Sequence, residues 1–197
     1  LKQWFDLMNG FLQANQIIKT DLYTCGNTNS NYGNGEITLE NESRKIIQLI
    51  ESLEGKVHLI GHSFGAAVTL DVALQKPMNL ASIVLIEPTS YQFLVHSEIN
   101  ERSFYQQLNE MSGHISSTLD RAECWSGMKS LVDFWGGYHC WDNLEVDKKT
   151  DLVKHVHSFP EEFRACIKAQ PGTQDLEQVN IPTLILCGTK SPQPVKR

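Results

Sequence analysis

Apolar residues recur at intervals of three and four along the first fourteen positions of the chain. They are Trp4, Phe5, Met8, Phe11 and Leu12. This spacing puts one apolar stripe along a helix, so we predict an amphipathic helix over residues 1–14. Residues 17–22 then form a candidate short strand, and residues 25–35, rich in Asn, Gly, Ser and Thr, predict a surface loop.

A second helical pattern begins after Thr38. The Thr38 hydroxyl can cap a helix, and Glu40 and Glu42 follow in the first turn, where carboxylates interact favourably with the helix dipole. We expect Gly55 to end this helix. Its apolar stripe consists of Ile46, Ile47, Leu49, Ile50 and Leu53.

Three short apolar runs predict strands over residues 57–60, 82–86 and 182–187. Between the first two, residues 64–75 predict a helix that Pro77 ends. Strands that alternate with helices and are apolar almost throughout are typical of a parallel sheet buried on both faces. We therefore predict the α/β fold class.

The region from residue 89 to residue 180 is helical in pattern throughout, and Pro160 is expected at the first position of one of its helices. We predict a core segment over residues 1–88, a helical region over 89–180 and a return to the core sheet over 181–197. Two apolar stripes in the helical region are Trp125, Met128, Leu131, Val132 and Trp135, and Leu152, Val153 and Val156.

Charge and cysteine usage exclude several classes of function. The net charge of the 197 residues is −6, without a block of Lys or Arg, so we expect no nucleic-acid partner and no membrane partner. The 5 cysteines never form C-x-x-C, which predicts neither a disulfide framework nor a metal site and favours the reducing cytoplasm. No apolar run approaches the roughly 20 residues of a membrane span.

Gly61-His62-Ser63-Phe64-Gly65 matches the pattern G-x-S-x-G between a predicted strand and a predicted helix. In this pattern the serine lies on a tight turn and exposes its hydroxyl for attack on a carbonyl carbon. We expect any side chain at Gly61 or Gly65 to clash with the neighbouring backbone, and we expect the Phe64 N–H to bind the oxyanion that the attack creates. The alternative is a glycine-rich turn without chemistry.

Together with two further segments, this motif resembles the α/β-hydrolase superfamily. Residues 18–28 resemble the family's D-x-x-G-x-G-x-S segment, with Thr24 and Thr28 in place of Gly and Ser, and residues 181–188 resemble its late I-P-T-L strand. The resemblance implies a partial α/β-hydrolase fold, with a mostly parallel sheet and the helical region as an inserted cap that shapes an apolar substrate pocket. It implies no cofactor.

The resemblance also implies that two catalytic groups lie outside the chain. The family's second oxyanion donor would precede Leu1, and its catalytic histidine would follow Arg197. We therefore expect a piece of a longer protein, with little or no activity of its own.

The family's third catalytic group is a carboxylic acid that orients the histidine, and this chain offers more than one candidate for it. The family usually carries it as Asp in G-x-x-D after the late strand, but Ser191 occupies that position in Gly188-Thr189-Lys190-Ser191. Glu87, at the end of the earlier strand, is the favoured candidate. The alternatives are that Glu87 only pins a loop, and that Asp133, Asp142 or an acid beyond Arg197 serves instead.

The histidines in the chain are expected to be structural or on the surface, because they lie in a strand, at the variable position of the motif or in the helical region. His139, beside Cys140 and Trp141, is the one that could reach a substrate pocket. The predicted function is that of a serine hydrolase acting on a small, mostly apolar ester-like molecule. The alternative is a non-catalytic binding or interaction protein that keeps the turn as a relic.

Overall fold

A computed structural model of the protein describes residues 4, 10, 16–23, 36–91, 99–120, 123–169 and 173–191. The predicted helix over 1–14 and the predicted loop over 25–35 lie outside the described residues, apart from Trp4 and Gly10, which are helical. The strands and helices with described bounds are, in chain order, α1 Leu39–Ser52, β1 Val57–His62, α2 Phe64–Leu74, β2 Leu80–Ile86, α3 Ile99–Asp120, α4 Cys124–Gly136, α5 Val146–Val153, α6 Ser158–Lys168, α7 Thr173–Leu176 and β3 Thr183–Leu186.

Helix α1 begins where its capping residue predicts. The Thr38 side-chain oxygen accepts the Asn41 N–H at 3.1 Å, which satisfies one of the free donors of the first turn. The helix ends at Ser52, three residues before the expected Gly55, because Leu53 already has extended backbone angles. Gly55 follows with a φ of 86°, which glycine tolerates without strain.

The three strands form one parallel sheet in the order β1-β2-β3. The register pairs His62 with Ile86 and Ile86 with Leu186, so the last residues of all three strands lie in one row. Whatever follows these strands therefore meets at one edge of the sheet.

Helix α2 packs on β1 and β2, and α1 packs against α2. Helix α2 has Asp71 as its one charged residue and is otherwise almost entirely apolar, as is expected of a helix with protein on most of its surface. Its buried residues include Ala66, Val68 and Val72, which are at most 2% exposed.

The prediction that the sheet is buried on both faces is wrong for β3. All four of its residues are exposed, and Leu184, Ile185 and Leu186 are 52%, 59% and 44% exposed. The strand is the last of the described sheet and pairs there with β2 alone, so one of its edges and much of its side-chain surface face outward.

The strand predicted over residues 17–22 is also wrong, because residues 16–22 have neither helical nor strand structure. A side chain of α1 holds the end of this segment instead. The Tyr23 N–H donates to the two carboxylate oxygens of Glu42 at 3.0 and 3.1 Å, and Glu42 is fully buried.

The helices α3 to α7 all lie between β2 and β3 in the chain. Helix α3 packs against α4 and α6, and α6 also contacts α2. Pro160 was expected to be the first residue of a helix. It is the third residue of α6, because the helix begins at Ser158. A proline is tolerated anywhere in a first turn, whose N–H groups lack helical partners.

None of the described helices has the length and apolar character that crossing a bilayer requires.

Candidate active site

The register of the sheet brings two of the predicted site residues together. Ser63 follows β1 and Glu87 follows β2, at adjacent positions of the same edge. The Ser63 N–H donates to the Ile86 carbonyl at 2.9 Å, and the Glu87 N–H donates to the Leu186 carbonyl at 2.8 Å. The ends of all three strands are thus joined by hydrogen bonds at the edge where a parallel sheet ordinarily carries its chemistry.

Ser63 has a φ of 56° and a ψ of −124°, which only a strongly constrained non-glycine residue adopts. Its backbone is held from both sides. The Ser63 carbonyl accepts the N–H groups of Ala66 and Ala67 at 2.9 and 3.2 Å, and that of Thr89 at 3.4 Å. This backbone holds the serine on a sharp turn between β1 and α2, as the sequence motif requires.

The two glycines of the motif differ in how much space surrounds them. A Cβ on Gly61 would lie 2.6 Å from the backbone carbon of Gly65 and would also collide with the Thr69 hydroxyl. A Cβ on Gly65 would have the Leu22 Cδ1 at 3.9 Å as its nearest neighbour, which is an ordinary contact. The expectation that both positions exclude a side chain is therefore wrong for Gly65, because its missing Cβ points toward Leu22 and away from the backbone of the turn.

The Phe64 N–H is available as a hydrogen-bond donor. Phe64 is the first residue of α2, so its N–H has no partner inside the helix. No acceptor for it is found among the described residues either. A donor at the start of a helix, beside the serine, can stabilise negative charge on a substrate oxygen.

The Glu87 carboxylate has defined partners. Its Oε1 accepts the Gly188 N–H at 3.0 Å and also accepts the Ser191 hydroxyl. The pKa of Glu87 is lowered, chiefly by the Ser191 hydrogen bond and also by the Gly188 N–H and by His62. Glu87 itself has a φ of 47°, so the residues after β1 and β2 both adopt left-handed backbone angles.

His62, at the variable position of the motif, lies beside this carboxylate. Its Nε2 is 4.0 Å from the Glu87 Oε2. Burial lowers the pKa of His62 and exceeds the opposing attraction of Glu87, so the imidazole is neutral at neutral pH. Because its ring is too far for a hydrogen bond, it leaves Oε2 open to another donor.

His139 belongs to a polar network in the helical region between β2 and β3. Its Nδ1 is 2.7 Å from the Asp142 Oδ2, and Lys129 Nζ joins Asp142 and Asp133 at 2.8 and 2.9 Å. Asp133 also accepts the Trp141 N–H at 2.8 Å. Both carboxyl pKa values are lowered, that of Asp133 chiefly by this N–H and that of Asp142 chiefly by Lys129. The two alternative acids therefore already have structural partners.

No described histidine is hydrogen-bonded to Ser63. The histidine side-chain hydrogen bonds found in the described part of the chain join His58 to Ser82 and His139 to Asp142. No hydrogen bond to the Ser63 hydroxyl is found among those same residues. The described site therefore contains the Ser63 hydroxyl, the Phe64 N–H beside it and the Glu87 carboxylate.

The segment after Glu87 carries a polar group that the sequence pattern does not reveal. Tyr91 is 4% exposed, its ring centroid lies 5.4 Å from that of Phe163 in α6, and burial raises its pKa well above the ordinary value. Within the described ranges, its hydroxyl and that of Ser90 are buried without a hydrogen-bond partner. The sequence could not indicate this, because the burial depends on α6, some seventy residues later in the chain.

Comparison with known proteins agrees with this architecture. The model of the alpha/beta hydrolase family matches residues 4–194. An alpha/beta hydrolase from a Medee basin deep-sea metagenome library is similar in structure, with a TM-score of 0.71 at 15% identity over 93% of this chain and 65% of its own.

Two further solved structures have the same similarity. A hydrolase from Pseudomonas aeruginosa has a TM-score of 0.71 at 16% identity over 95% of this chain and 67% of its own. A hydrolase from Oleispira antarctica has a TM-score of 0.71 at 14% identity over 99% of this chain and 72% of its own. No curated protein sequence matches the chain. The chain thus spans about two thirds of the length of the first of these structures. Because the family model matches nearly the whole of this chain, the chain belongs to the alpha/beta hydrolase family.

Proposed function

We propose that this protein is a serine hydrolase in which Ser63 is the nucleophile, acting on a small, mostly apolar ester-like substrate. The observation that carries the proposal is the backbone of Ser63, whose φ of 56° places a serine on a sharp strand-to-helix turn, beside the Phe64 N–H, which has no acceptor among the described residues. Strained backbone at such a position is typical of functional sites.

The reaction uses these groups in order. The Ser63 Oγ attacks the substrate carbonyl carbon, and the carbonyl electrons move to its oxygen, where the Phe64 N–H donates a hydrogen bond. The intermediate collapses to an acyl-serine, and the alcohol or thiol leaves with the proton that a base has taken from Ser63. Water then loses a proton to the base and attacks the acyl carbon, and Ser63 Oγ regains that proton as the carboxylic acid is released.

A base must take the Ser63 proton, and we assign this role to a histidine outside the described residues. Glu87 would accept the N–H of that imidazole on its Oε2 and so fix its tautomer and stabilise its protonated form. The lowered pKa of Glu87 supports this role, because an ionised carboxylate is required.

Aromatic side chains support an apolar substrate. Thr89, which donates its N–H to the Ser63 carbonyl, is followed closely by Tyr91, and Tyr91 packs on Phe163 of the cap. Phe159 stacks on Phe163 with a centroid distance of 6.1 Å. Tyr91 and Phe163 are buried and Phe159 is half-buried, so these rings form apolar packing beside the Ser63 turn, and such surroundings favour an apolar rather than a charged substrate group.

The second candidate is a non-catalytic binding protein. It is favoured by the finding that no described histidine is hydrogen-bonded to Ser63, since a serine without a base is a weak nucleophile.

A fluorophosphonate probe distinguishes the two functions, because it reacts rapidly only with an activated serine. We expect the full-length gene product that contains these residues to be labelled, with the label mapped to Ser63 by peptide mass spectrometry. Ser63→Ala should abolish labelling. Ser82→Ala, which removes a hydroxyl at the other end of the same sheet, should not. A folded protein that is not labelled at Ser63 would establish the non-catalytic function.

A further inference from the structure

The loop after β3 returns to the end of β2 through a tight turn. The Ser191 N–H donates to the Gly188 carbonyl at 3.1 Å, and the turn directs the Ser191 hydroxyl onto the Glu87 Oε1. The Gly188 N–H reaches the same oxygen at 3.0 Å. One carboxylate oxygen thus receives two donors from a segment about one hundred residues away in the chain.

Gly188 is essential to this arrangement. A Cβ at this position would lie 2.8 Å from the Glu87 Oε1 and 2.5 Å from the Ser191 Oγ. Real side chains do not approach so closely, so a larger residue would displace the carboxylate, the hydroxyl or both. The loop is therefore shaped around the carboxylate of Glu87.

The two oxygens of Glu87 consequently have different surroundings. Oε1 has the Ser191 and Gly188 donors, whereas Oε2 has the neutral His62 at 4.0 Å as its nearest ion-pairing group in the described structure. Rotation of the carboxylate would break two hydrogen bonds, so Oε2 is held in one direction. An acceptor fixed in this way is suited to orient one imidazole N–H.

We propose that Ser191 is a positioning residue that acts through Glu87, holding its Oε1 so that Oε2 receives the imidazole of the catalytic base. The inference rests on the proposed function, in which Glu87 is the acid. From the sequence alone, with Glu87 as the acid, Ser191→Ala would be expected to have almost no effect, and the hydrogen bond from Ser191 to Glu87 predicts otherwise.

The test uses hydrolysis of p-nitrophenyl butyrate by the full-length gene product. Ser191→Ala should lower kcat by about ten- to a hundredfold, the effect of one hydrogen bond to a charged group, with KM changed by less than about twofold. The acidic limb of the pH–rate profile should move to higher pH, because a carboxylate with one donor fewer holds the proton of its imidazole partner more tightly. A purely structural role would leave that limb in place.

Three other variants make the result decisive. Ser191→Thr keeps the hydroxyl and should restore both kcat and the pH profile, and Ser82→Ala should change neither. If the alanine variant folds poorly, Ser191→Cys takes its place in the test. A thiol is a weaker donor of nearly the same size, so this variant should also lower kcat and move the acidic limb to higher pH.

Glu87→Gln separates this inference from the proposed function. It should lower kcat by on the order of 10³ to 10⁴ if Glu87 is the acid. If it does so while Ser191→Ala leaves kcat and the pH profile unchanged, the positioning role is overturned and the acid stands. If Glu87→Gln leaves kcat within about tenfold of the parent, both assignments are overturned.

Discussion

At the scale of single residues, the site depends on backbone that side chains ordinarily avoid. Ser63 and Glu87, with φ values of 56° and 47°, follow adjacent strands and are held by hydrogen bonds from the neighbouring strand or its loop. Each such residue costs about 1–3 kcal/mol. The strain persists because the register of the sheet and the buried helix α2 determine where both residues lie.

Gly61 gives a test of this constraint. Gly61→Ala would place a methyl group 2.6 Å from the backbone of Gly65, which cannot move without unwinding the start of α2. We expect the free energy of unfolding to fall by about 3 kcal/mol or more, measured by urea titration followed by circular dichroism.

Gly65→Ala is the matched control for that variant. Its new methyl group meets only Leu22 Cδ1, at 3.9 Å, and alanine is the better helix former. We expect stability to be unchanged or higher by up to about 1 kcal/mol. Equal losses in the two variants would show that the turn tolerates a side chain at neither glycine.

At the scale of secondary-structure elements, α3 and α4 are in close contact within the helical region between β2 and β3. The Cβ of a side chain at Gly127 would collide with the Thr118 hydroxyl and would lie 3.5 Å from Val156 Cγ2. Thr118 is fully buried, and its hydroxyl donates to the Ile115 carbonyl at 2.7 Å. The glycine therefore permits the two helices to approach without loss of a buried hydrogen bond.

Gly127→Ala should separate the helices or rotate Thr118 away from its acceptor. We expect a loss of about 2 kcal/mol in the free energy of unfolding, because overpacking and an unsatisfied buried hydroxyl each have this order of cost. Gly113→Ala in α3, with open space around the new methyl group, should instead stabilise by up to about 1 kcal/mol. Thermal melts of both variants test this, and a neutral Gly127→Ala would contradict it.

At the scale of the whole molecule, the described sheet ends at one edge in β3, a strand with exposed apolar side chains. Leu184, Ile185 and Leu186 of β3 are 44–59% exposed, next to backbone groups of an edge strand. Exposed edge strands with apolar side chains are prone to pair with other chains. The 197-residue chain should therefore self-associate.

Ile185→Lys should reduce this association, since a charge on an edge strand opposes pairing. Val146→Lys introduces the same charge at a residue of α5 that is 66% exposed, and it should leave the association unchanged. Sedimentation velocity at several protein concentrations measures both effects. A parent chain that stays monomeric at tens of micromolar would contradict the prediction.

Several features could be predicted from sequence alone because they depend on residues close together in the chain. The capping residue Thr38 and the apolar stripe that follows it predict α1. The G-x-S-x-G motif between a strand and a helix indicates both the family and the turn at Ser63. Helix capping, hydrophobic periodicity and tight turns each depend on residues a few positions apart, so they can be predicted from a short stretch of sequence.

Other features were decided only by the tertiary structure. The Ser191 hydrogen bond to Glu87, the burial of Glu42 against Tyr23 and the space beside Gly65 each join residues from separate elements. The exposure of β3 likewise follows from its place at the edge of the described sheet, although its apolar sequence is typical of a buried strand. Strand register and helix packing set these contacts, and no local pattern of polar and apolar residues contains that information.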